Sequence, residues 1–488
     1  MSIIKIENLT FSYPSSAEVI FDNVNFQIDT DWKLGFVGRN GRGKTTFLNL
    51  LQGRYEYSGK IISSVKFNYF PYSVPDKSVL TQDVLRQVCP TAEDWEFIRE
   101  LSYLEVNSEV LYRPFETLSN GEQSKVLLSA LFLNEGNFLL IDEPTNHLDS
   151  NARQMVAKYL KKKKSFILVS HDRDFLDGCV DHILSLNRTN IEVQSGNFSL
   201  FMLNFERRQM SEQMQNDRLK QEIKRLKQSA RQSAEWSDKI ESGKIGNKVF
   251  DRGYVGHKAA KMMQLSKNLE NRQKRAIEQK TSLLKNTESA ESLKISPLDY
   301  RGERLAYYSA VAPLYKGKQV CAPITFEILR GDRIALEGKN GSGKSSLLKL
   351  LCGLKTEYSG ELGIGSGLII SYVPQDTSHL RGTLDTFSSE YKIDKTLFAA
   401  ILHKLGFDKS QFGKDIYEFS DGQKKKALIA KSLCEQAHLY VWDEPLNFID
   451  VYSRMQIEEL LLQYRPTMIF VEHDSAFRKK ISTSVIEL

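Results

Sequence analysis

Two nearly identical glycine-rich stretches, GRNGRGKT at residues 38–45 and GKNGSGKS at residues 338–345, decide the fold of this 488-residue chain. Each follows a short apolar run, KLGFVG at 33–38 and DRIALEG at 332–338. A GxxxxGK[ST] loop between a strand and a helix lets main-chain N–H groups surround phosphate, because glycine has no side chain to block the approach. One such match can arise by chance, but two matches in the same context favour a repeated phosphate-binding loop (P-loop).

The same further motifs follow each P-loop in the same order. The first copy has LSNGEQ at 118–123, then Asp142, Glu143 and His171, and the second has FSDGQ at 419–423, then Asp443, Glu444 and His473. The P-loop lysine precedes the aspartate by 98 residues in one copy and by 99 in the other. We call LSNGEQ and FSDGQ the signature segments. The glycine of the signature segment precedes the aspartate by 21 residues in both copies. Chance does not preserve two such intervals, so the chain contains a duplicated nucleotide-binding domain.

The apolar runs of both copies predict the fold class. Runs such as NFLLID and SFILVS in the first copy, or HLYVWD and TMIFVEH in the second, are almost wholly apolar and end at polar residues. Strands that are apolar on both faces form parallel sheets covered by helices, and ligands collect at the carboxyl ends of such strands. We therefore expect an α/β fold with two tandem lobes, residues 1–201 and residues 297–488.

The segment between the lobes, residues 202–296, differs in kind. It is rich in Gln, Lys, Arg, Glu, Leu, Met and Ala, which favour helices, and its apolar residues recur at steps of three or four. The pattern predicts a long α-helical hairpin linker, whose first helix, from 202 to about 240, has a length of roughly 60 Å. Four glycines mark its tip: Gly243, Gly246, Gly253 and Gly256.

Positive charge is concentrated in this linker. Residues 201–285 contain 20 Lys and Arg against 10 Asp and Glu, a net charge of +10, whereas the whole chain carries +6 and the remainder therefore −4. A basic helical hairpin suits phosphate-rich RNA, and the aromatic Trp236 near the tip favours RNA over the alternative, a solvated charged coil. The candidate RNA-binding residues are Lys239, Lys244, Lys248, Arg252, Tyr254, His257, Lys258 and Lys261.

The P-loop chemistry assigns roles to lysine, hydroxyl and carboxylate groups. Lys44 and Lys344 are placed to neutralise the β- and γ-phosphates of a nucleotide. A P-loop hydroxyl ligates Mg²⁺ in such sites, and a carboxylate at the end of a buried strand holds the ion directly or through water. The candidate metal ligands on this reasoning are Thr45, Ser345, Asp142 and Asp443.

Four further residues are candidates for catalysis. Glu143 and Glu444 follow the metal-binding aspartates and are placed to act as general bases or to orient the attacking water. A solvated strand end is the alternative, but it does not explain why Pro and Asn follow in both copies. His171 and His473 are candidate contacts of the γ-phosphate. Two aromatic residues ahead of the P-loops either stack on adenine or belong to the core: Tyr13 and Tyr315.

The order of the motifs resembles that of an ATP-binding cassette ATPase: a P-loop, a signature segment, an Asp-Glu pair and a histidine. The resemblance covers both lobes. In that family two domains clamp ATP head to tail, which implies that the P-loop of each lobe faces the signature of the other. The resemblance implies two ATP-binding cassette domains, residues 1–201 and 297–488, that hydrolyse ATP with Mg²⁺. The implied ATP-binding residues are Tyr13, Gly38, Arg39, Asn40, Gly41, Arg42, Gly43, Lys44, Thr45, Thr46, Ser420, Gly422 and Gln423 around one site, and Tyr315, Gly338, Lys339, Asn340, Gly341, Ser342, Gly343, Lys344, Ser345, Ser346, Gln375, Ser119, Gly121 and Glu122 around the other.

Tandem lobes, the segment EPTNHLD and a helical linker of about 85 residues resemble the F-type subfamily, ABC-F, of ribosome-binding cassette proteins. The stretch AEWSDK followed by DRGYVGHKAAKMM resembles its antibiotic-resistance branch, and EPLNFID is similar to the Lsa-type members. The resemblance implies an ATPase that binds large-subunit rRNA at the ribosomal exit site and contacts the peptidyl-site tRNA. It further implies relief of inhibition by lincosamides, pleuromutilins and group A streptogramins.

Other functions stay open on the sequence. An ABC-F factor that relieves stalled ribosomes without a drug role shares these features. A transporter's ATPase pair needs membrane subunits and gives no reason for a basic linker, and a DNA-acting cassette ATPase typically interrupts one nucleotide domain with a far longer coil. Scattered cysteines and the absence of an apolar stretch of ~20 residues predict a cytoplasmic chain without a membrane span. We expect a monomer whose lobes close on each other.

The two ATP sites are expected to be unequal. Lobe two has YVPQ, with Gln375 where the family places a glutamine that helps to hold Mg²⁺ and the attacking water, whereas lobe one has YFPY, with Tyr72. A phenol cannot present an amide carbonyl to a metal. The second signature also contains Asp421, a negative charge where the family usually has none. Head-to-tail pairing assigns both departures to the site of Lys44, which we expect to hydrolyse ATP more slowly.

Overall fold

The structure, a computed structural model, describes residues 2–14, 19–134, 136–146, 148–186, 191–242, 293–315, 317–354, 357–407 and 411–488. It confirms the predicted α/β fold with two tandem lobes. Both lobes belong to one compact unit, Met1–Phe201 with Glu291–Leu488, and a second unit comprises Met202–Ala290. Cys89 and Cys179 are buried, and the other three cysteines are half-buried.

Lobe one alternates strands and helices in the order that a parallel sheet requires. Its strands are β1 Ile3–Ser12, β2 Val19–Asp29, β3 Lys33–Gly38, β4 Ser58–Ile62, β5 Lys66–Phe70, β6 Asn137–Asp142, β7 Phe166–Val169, β8 His182–Leu186 and β9 Ile191–Ser195. Its helices are α1 Lys44–Leu51, α2 Thr81–Val88, α3 Asp94–Tyr103, α4 Asn120–Leu133, α5 Ser150–Lys162 and α6 Arg173–Cys179.

Two sheets form lobe one. The larger has the order β5-β6-β7-β3-β8-β9, in which all pairs are parallel except β8 with β9. Strand β3 therefore ends between β7 and β8, so the P-loop that follows it lies close to the end of β6, where Asp142 stands. An antiparallel sheet of order β2-β1-β4, which the sequence patterns did not predict, packs its apolar face on helix α1.

Lobe two repeats this plan. Its strands are β10 Arg304–Tyr315, β11 Lys318–Gln319, β12 Ile324–Leu329, β13 Arg333–Glu337, β14 Tyr358–Ile364, β15 Ile370–Val373, β16 Leu439–Asp443, β17 Met468–Val471 and β18 Ser484–Glu487. After the linker helix, α7 Phe198–Ser242, its helices are α8 Lys344–Leu351, α9 Leu384–Glu390, α10 Lys395–Lys404, α11 Asp421–Cys434, α12 Val451–Tyr464 and α13 Ser475–Ile481. The parallel sheet has the order β15-β16-β17-β13-β18.

Helix α7 confirms part of the linker prediction. It contains 45 residues and begins four positions before the predicted start at 202. At 1.5 Å per residue it is roughly 67 Å long. The second helix of the predicted hairpin and its glycine-rich tip lie outside the described residues. Within the described ranges, no helix is both long and apolar enough to cross a membrane.

The lobes contact each other through residues that follow the two histidine motifs. The guanidinium of Arg173, at the start of α6, donates to the carboxylate of Glu458 in α12 and lies 3.5 Å from Asp474. Glu458 is fully buried and has a second partner in its own lobe, Lys480, at 3.1 Å. In the other direction the hydroxyl of Ser475 donates to Asp174. Charged groups thus cross the lobe interface beside both candidate catalytic centres.

The cross-lobe pair predicts a difference between two substitutions that remove partners of the same glutamate. Arg173→Ala should lower the free energy of unfolding by about 3 kcal/mol, because it leaves a buried carboxylate poorly compensated. Lys480→Ala should cost less than ~1 kcal/mol, because the side chain of Lys480 is half exposed. Urea unfolding of both variants measures this difference. Equal losses would show that the contact across the interface contributes no more than the half-exposed contact with Lys480.

Candidate nucleotide-binding sites

The first P-loop is shaped by glycines and by a lysine that folds back over it. Gly43 has a φ of 101°, and a Cβ there would lie 2.5 Å from a side-chain carbon of Ile20, so only glycine fits. Lys44 is buried, and its ammonium donates to the carbonyl of Gly38 at 2.7 Å. Burial lowers the pKa of Lys44, and nearby carboxylates, Asp450 of lobe two first among them, oppose that effect. The loop therefore presents an enclosed positive charge.

The second P-loop repeats this arrangement. Lys344 is buried and donates to the carbonyls of Gly338 and Lys339, each at 2.8 Å. Among the described residues, the buried hydroxyl oxygen of Ser342 in the same loop has no hydrogen-bond partner. The ammonium of Lys344 can therefore face an anion such as the phosphates of ATP, and the hydroxyl of Ser342 can donate to it.

Hydroxyl and carboxylate groups meet next to each P-loop, as the sheet order requires. Thr45 donates to Asp142 Oδ2 at 2.9 Å, and Ser345 donates to Asp443 Oδ1 at 3.1 Å. Tyr69, which sequence reasoning missed, also donates to Asp142. In the described part of the chain, Asp443 Oδ2 is buried without a hydrogen-bond partner. One hydroxyl and one carboxylate with a spare oxygen are ligands that Mg²⁺ prefers, so the residues fit the ion.

The candidate catalytic glutamates stand in matching turns. Glu143 and Glu444 both adopt left-handed backbone conformations, with φ of 49° and 47°. Such conformations are strained for residues other than glycine and cluster at functional sites. His171 Nε2 lies 3.3 Å from Glu143 Oε1, and His473 Nε2 lies 3.3 Å from Glu444 Oε1. Each lobe thus brings its glutamate and its histidine together, as the spacing of the motifs predicts.

The surroundings of the two glutamates differ. Glu444 accepts hydrogen bonds from Gln375 and from Asn447, the latter at 2.5 Å. Burial opposes ionisation of Glu444, but the hydrogen bonds from His473 and Gln375 outweigh it, and the pKa lies below its ordinary value. At Glu143, burial and the charge of Asp142 instead raise the pKa. Within the described residues, Glu143 Oε1 accepts no hydrogen bond of good geometry, although His171 Nε2 lies 3.3 Å away.

Lobe two reaches into the site of Lys44. The side-chain amide of Asn40 donates to the carbonyl of Phe448 at 2.5 Å, and its main-chain N–H donates to Asp450 at 3.4 Å. A Cβ added to Gly422 would lie 2.9 Å from the Asn40 amide nitrogen. The structure therefore brings the P-loop of lobe one against the signature glycine of lobe two, the head-to-tail pairing that the family resemblance implies.

Lobe one reaches into the site of Lys344 in a corresponding way. A cavity of about 230 Å³ is lined by Lys344 and His473 of lobe two and by three residues of lobe one, Asp149, Ser150 and Asn151. The sequence predicts that Ser119 and Gly121 belong to this site. Neither is among the described residues that line the cavity.

Two aspartates were quoted in the sequence motifs without a role. Asp149 ends EPTNHLD and Asp450 ends EPLNFID. Each caps the helix that follows it, α5 or α12, and its charge acts on the P-loop lysine of the opposite lobe. The sequence could have indicated a role for these two residues, because an aspartate ends both copies of the motif.

Several predicted ATP contacts have other partners in this structure. Ser119 and Ser420 cap helices α4 and α11, with Glu122 and Gln423 completing the capping boxes. Tyr13 donates to or accepts from Thr46 at 2.8 Å, and its ring packs edge-on against Phe11 and Tyr55. Tyr315 is exposed. The roles of these residues in ATP binding stay predictions.

Asp421 of the second signature lies at the surface. It is exposed in the first turn of α11, where a negative charge interacts favourably with the helix N-terminus. Solvent screens its charge, and its effect on the site of Lys44 stays a prediction. The contrast between Tyr72 and Gln375 remains.

Most of the candidate RNA-binding residues lie outside the described residues. Lys239 is in helix α7, but its side chain is not described, and the other seven follow the last described residue of the helix.

Comparisons with known proteins match both lobes and the whole chain. The family model described as ABC transporter matches residues 21–146 and 321–447. The chain is 27% identical to the ribosome protection protein VmlR of Bacillus subtilis, over 97% of this chain and 84% of that protein. It is 27% identical to the ATP-binding protein Uup of Haemophilus influenzae, over 99% of this chain and 78% of that protein.

Solved structures agree on the fold. An archaeal ribosome recycling factor, aABCE1, in complex with the ribosomal stalk protein aP1, aligns with a TM-score of 0.62 at 20% identity, over 98% of this chain and 87% of that one. The RNase-L inhibitor aligns with a TM-score of 0.61 at 19% identity, over 99% of this chain and 87% of that one. At these identities the likeness supports the tandem-lobe fold alone.

The difference between the two glutamates predicts unequal hydrolysis. Glu444→Gln should lower single-turnover ATP hydrolysis much more than Glu143→Gln, because the amide of Gln375 holds Glu444 and the attacking water in place, whereas lobe one has Tyr72 at that position. In a matched exchange, Tyr72→Gln should raise the rate of the Lys44 site, measured in the Glu444→Gln background. Equal losses from the two glutamate substitutions would contradict the asymmetry.

Proposed function

The chain belongs to the ATP-binding cassette family, and we propose that it is a ribosome-binding ATPase of the F-type subfamily that protects ribosomes from antibiotics. The observation that carries the proposal is the similarity to VmlR, a ribosome protection protein, over 97% of this chain. That span includes the linker as well as both lobes. Similarity to Uup over nearly the whole chain supports the same subfamily.

The ATPase chemistry follows from residues of both lobes. Lys44 and Lys344 would neutralise phosphate charge, and Thr45 with Asp142, or Ser345 with Asp443, would hold Mg²⁺. The ion, when bound, neutralises charge that develops on the phosphates. Glu143 and Glu444 would orient the attacking water, each beside its histidine. Because Asp450 and Asp149 approach the lysines from the opposite lobe, both sites are complete only when the lobes are together.

The linker is the part of the chain suited to RNA. Residues 202–242 contain 9 Lys and Arg against 7 Asp and Glu, whereas residues 243–285 contain 11 against 3. The positive excess therefore follows helix α7 in the sequence. A helix of about 67 Å that leads in the sequence to a basic segment suits binding to an rRNA surface. We place this surface at the ribosomal exit site, next to the peptidyl-site tRNA.

The drug classes are the most specific part of the proposal. Lincosamides, pleuromutilins and group A streptogramins are the inhibitors that the chain should relieve, by displacing the drug from the ribosome. The support is the likeness of AEWSDK, DRGYVGHKAAKMM and EPLNFID to the resistance branch and its Lsa-type members. Expression of the chain in a sensitive bacterium tests the proposal, with higher minimum inhibitory concentrations expected for these three classes only.

Blocking hydrolysis at both sites should trap the chain on ribosomes. Glu143→Gln combined with Glu444→Gln leaves the P-loops and the metal ligands intact, so ATP should bind without being hydrolysed. The variant should sediment with ribosomes in ATP and inhibit translation. Duplex DNA and membranes, sedimented in parallel, should retain none of it. Retention on DNA alone would instead support a DNA-acting ATPase.

Shortening the linker should separate ATP hydrolysis from protection. Deletion of residues 242–256 should leave ATP hydrolysis without ribosomes unchanged, because no P-loop, signature or catalytic residue lies in that range. Drug protection should be lost, and the salt dependence of ribosome binding should weaken with the loss of Lys and Arg contacts to phosphate. Full protection by the shortened chain would remove the linker from the mechanism.

A further inference from the structure

A lysine is buried next to the metal-binding strand of lobe two. Lys425, in helix α11, is 2% exposed. Its ammonium donates to the carbonyl of Pro374 at 2.9 Å and lies 3.4 Å from the carbonyl of Asp443. Pro374 precedes Gln375, and Asp443 precedes Glu444. One side chain thus contacts the main chain of both segments that supply the Lys344 site with its amide and its carboxylates.

Lobe one lacks this lysine. The repeated motifs align Lys425 with Ser124, whose hydroxyl donates to Asn120, one turn earlier in its own helix. They also align Glu472, which precedes His473, with Ser170. Lobe two therefore has a buried lysine and a buried glutamate where lobe one has two serines.

A buried ammonium is costly unless acceptors and negative charges surround it. Burial lowers the pKa of Lys425, and the charges of Asp443, Glu472 and Glu444 oppose that effect. Glu472 is held in turn by the main-chain N–H groups of Leu446, at 2.6 Å, and of His473, at 3.1 Å. The positive charge is thus compensated by carboxylates on the two strand ends that carry the candidate catalytic pair.

We propose that Lys425 is a positioning residue of the Lys344 site. It ties the ends of β15 and β16 to helix α11, so that Gln375 and Glu444 keep the arrangement in which the amide holds the carboxylate. The proposal rests on the proposed hydrolytic role of Glu444. It adds a physical cause for unequal sites, because the serine in lobe one makes no such tie.

Site-isolating backgrounds distinguish this role from general stability. In Glu143→Gln, hydrolysis occurs only at the Lys344 site, and in Glu444→Gln only at the Lys44 site. Lys425→Met removes the ammonium and keeps an unbranched apolar chain. It should lower the single-turnover rate about 10-fold in the first background, the usual scale for one charged hydrogen bond that holds reacting groups in place. In the second background the rate should change less than about 2-fold.

ATP affinity and neighbouring variants provide controls. The Kd for ATP in each background should stay within about 2-fold, because Lys425 contacts no P-loop residue that holds phosphate. Lys424→Met changes the preceding lysine of the same helix, which lies over the ring of Tyr417, and should leave both rates unchanged. Lys425→Ser with Glu472→Ser copies lobe one, keeps the charge balanced and should also slow the Lys344 site alone. That double variant decides the question if Lys425→Met does not fold.

Two results would overturn the proposal. Equal losses at both sites, or a loss of ATP affinity, would mean that Lys425 only stabilises lobe two. Unchanged rates at both sites would mean that the tie to α11 has no effect. All measurements use the full chain without ribosomes, so they are independent of the ribosome proposal. Parent-level hydrolysis by Glu143→Gln with Glu444→Gln would remove the premise that Glu444 acts in hydrolysis.

Discussion

The charge of a carboxylate from the opposite lobe acts on each P-loop lysine, Asp450 on Lys44 and Asp149 on Lys344, and this attraction across the lobe interface links the two ATP sites. Asp450 is fully buried, accepts from Lys426 of its own lobe at 2.7 Å and faces Asn40 of the first P-loop. Its pKa is held low, mainly by Lys426, against the effect of burial. A buried charge of this kind cannot move from its partners cheaply. Because the charges of Asp450 and Asp149 act on P-loop lysines of the opposite lobe, separation of the lobes would remove that compensation from both sites.

The two lobes share a fold but differ in their buried polar groups. Lobe two has the buried Lys425, Glu472 and Glu458 where lobe one has Ser124, Ser170 and Ala157. It also has an ion pair at 2.5 Å between the buried Arg478 and the partly exposed Glu337, where lobe one has Leu176 and Val37. Buried ion pairs add little net stability compared with well-packed apolar groups, but they fix one arrangement when they are fully paired. The charges of lobe two lie beside Glu444 and across the interface from Arg173. This distribution suits a rigid hydrolytic site in lobe two and a more apolar scaffold around the site of lobe one.

The sequence predicted the fold where local pattern and tertiary structure coincide. KLGFVG and NFLLID form strands over the same residues, because strands covered on both faces need unbroken apolar runs. The sheet β2-β1-β4 was missed, since its strands mix buried and exposed positions with bulges that blur the alternation. The sequence predicted those parts of the site in which residue type and spacing within one lobe are enough, such as the pairs Thr45 with Asp142 and Glu143 with His171. Asp450 at Lys44, Lys425 under Asp443 and the exposure of Asp421 depend on contacts between distant segments, which spacing alone does not encode.

The start of the linker helix is attached to the histidine motif of lobe one. Phe198 and Phe201, in the first turn of α7, are buried, and Ser199 binds Asp177 of helix α6 through its main-chain N–H at 2.7 Å and through its hydroxyl. Helix α6 begins two residues after His171, which faces Glu143. Hydrogen bonds and helix α6 thus connect the first turn of α7 to the glutamate and histidine of lobe one. The proposed function needs the nucleotide sites and the linker to act together, and these contacts connect the first turn of α7 directly to the lobe that carries the site of Lys44.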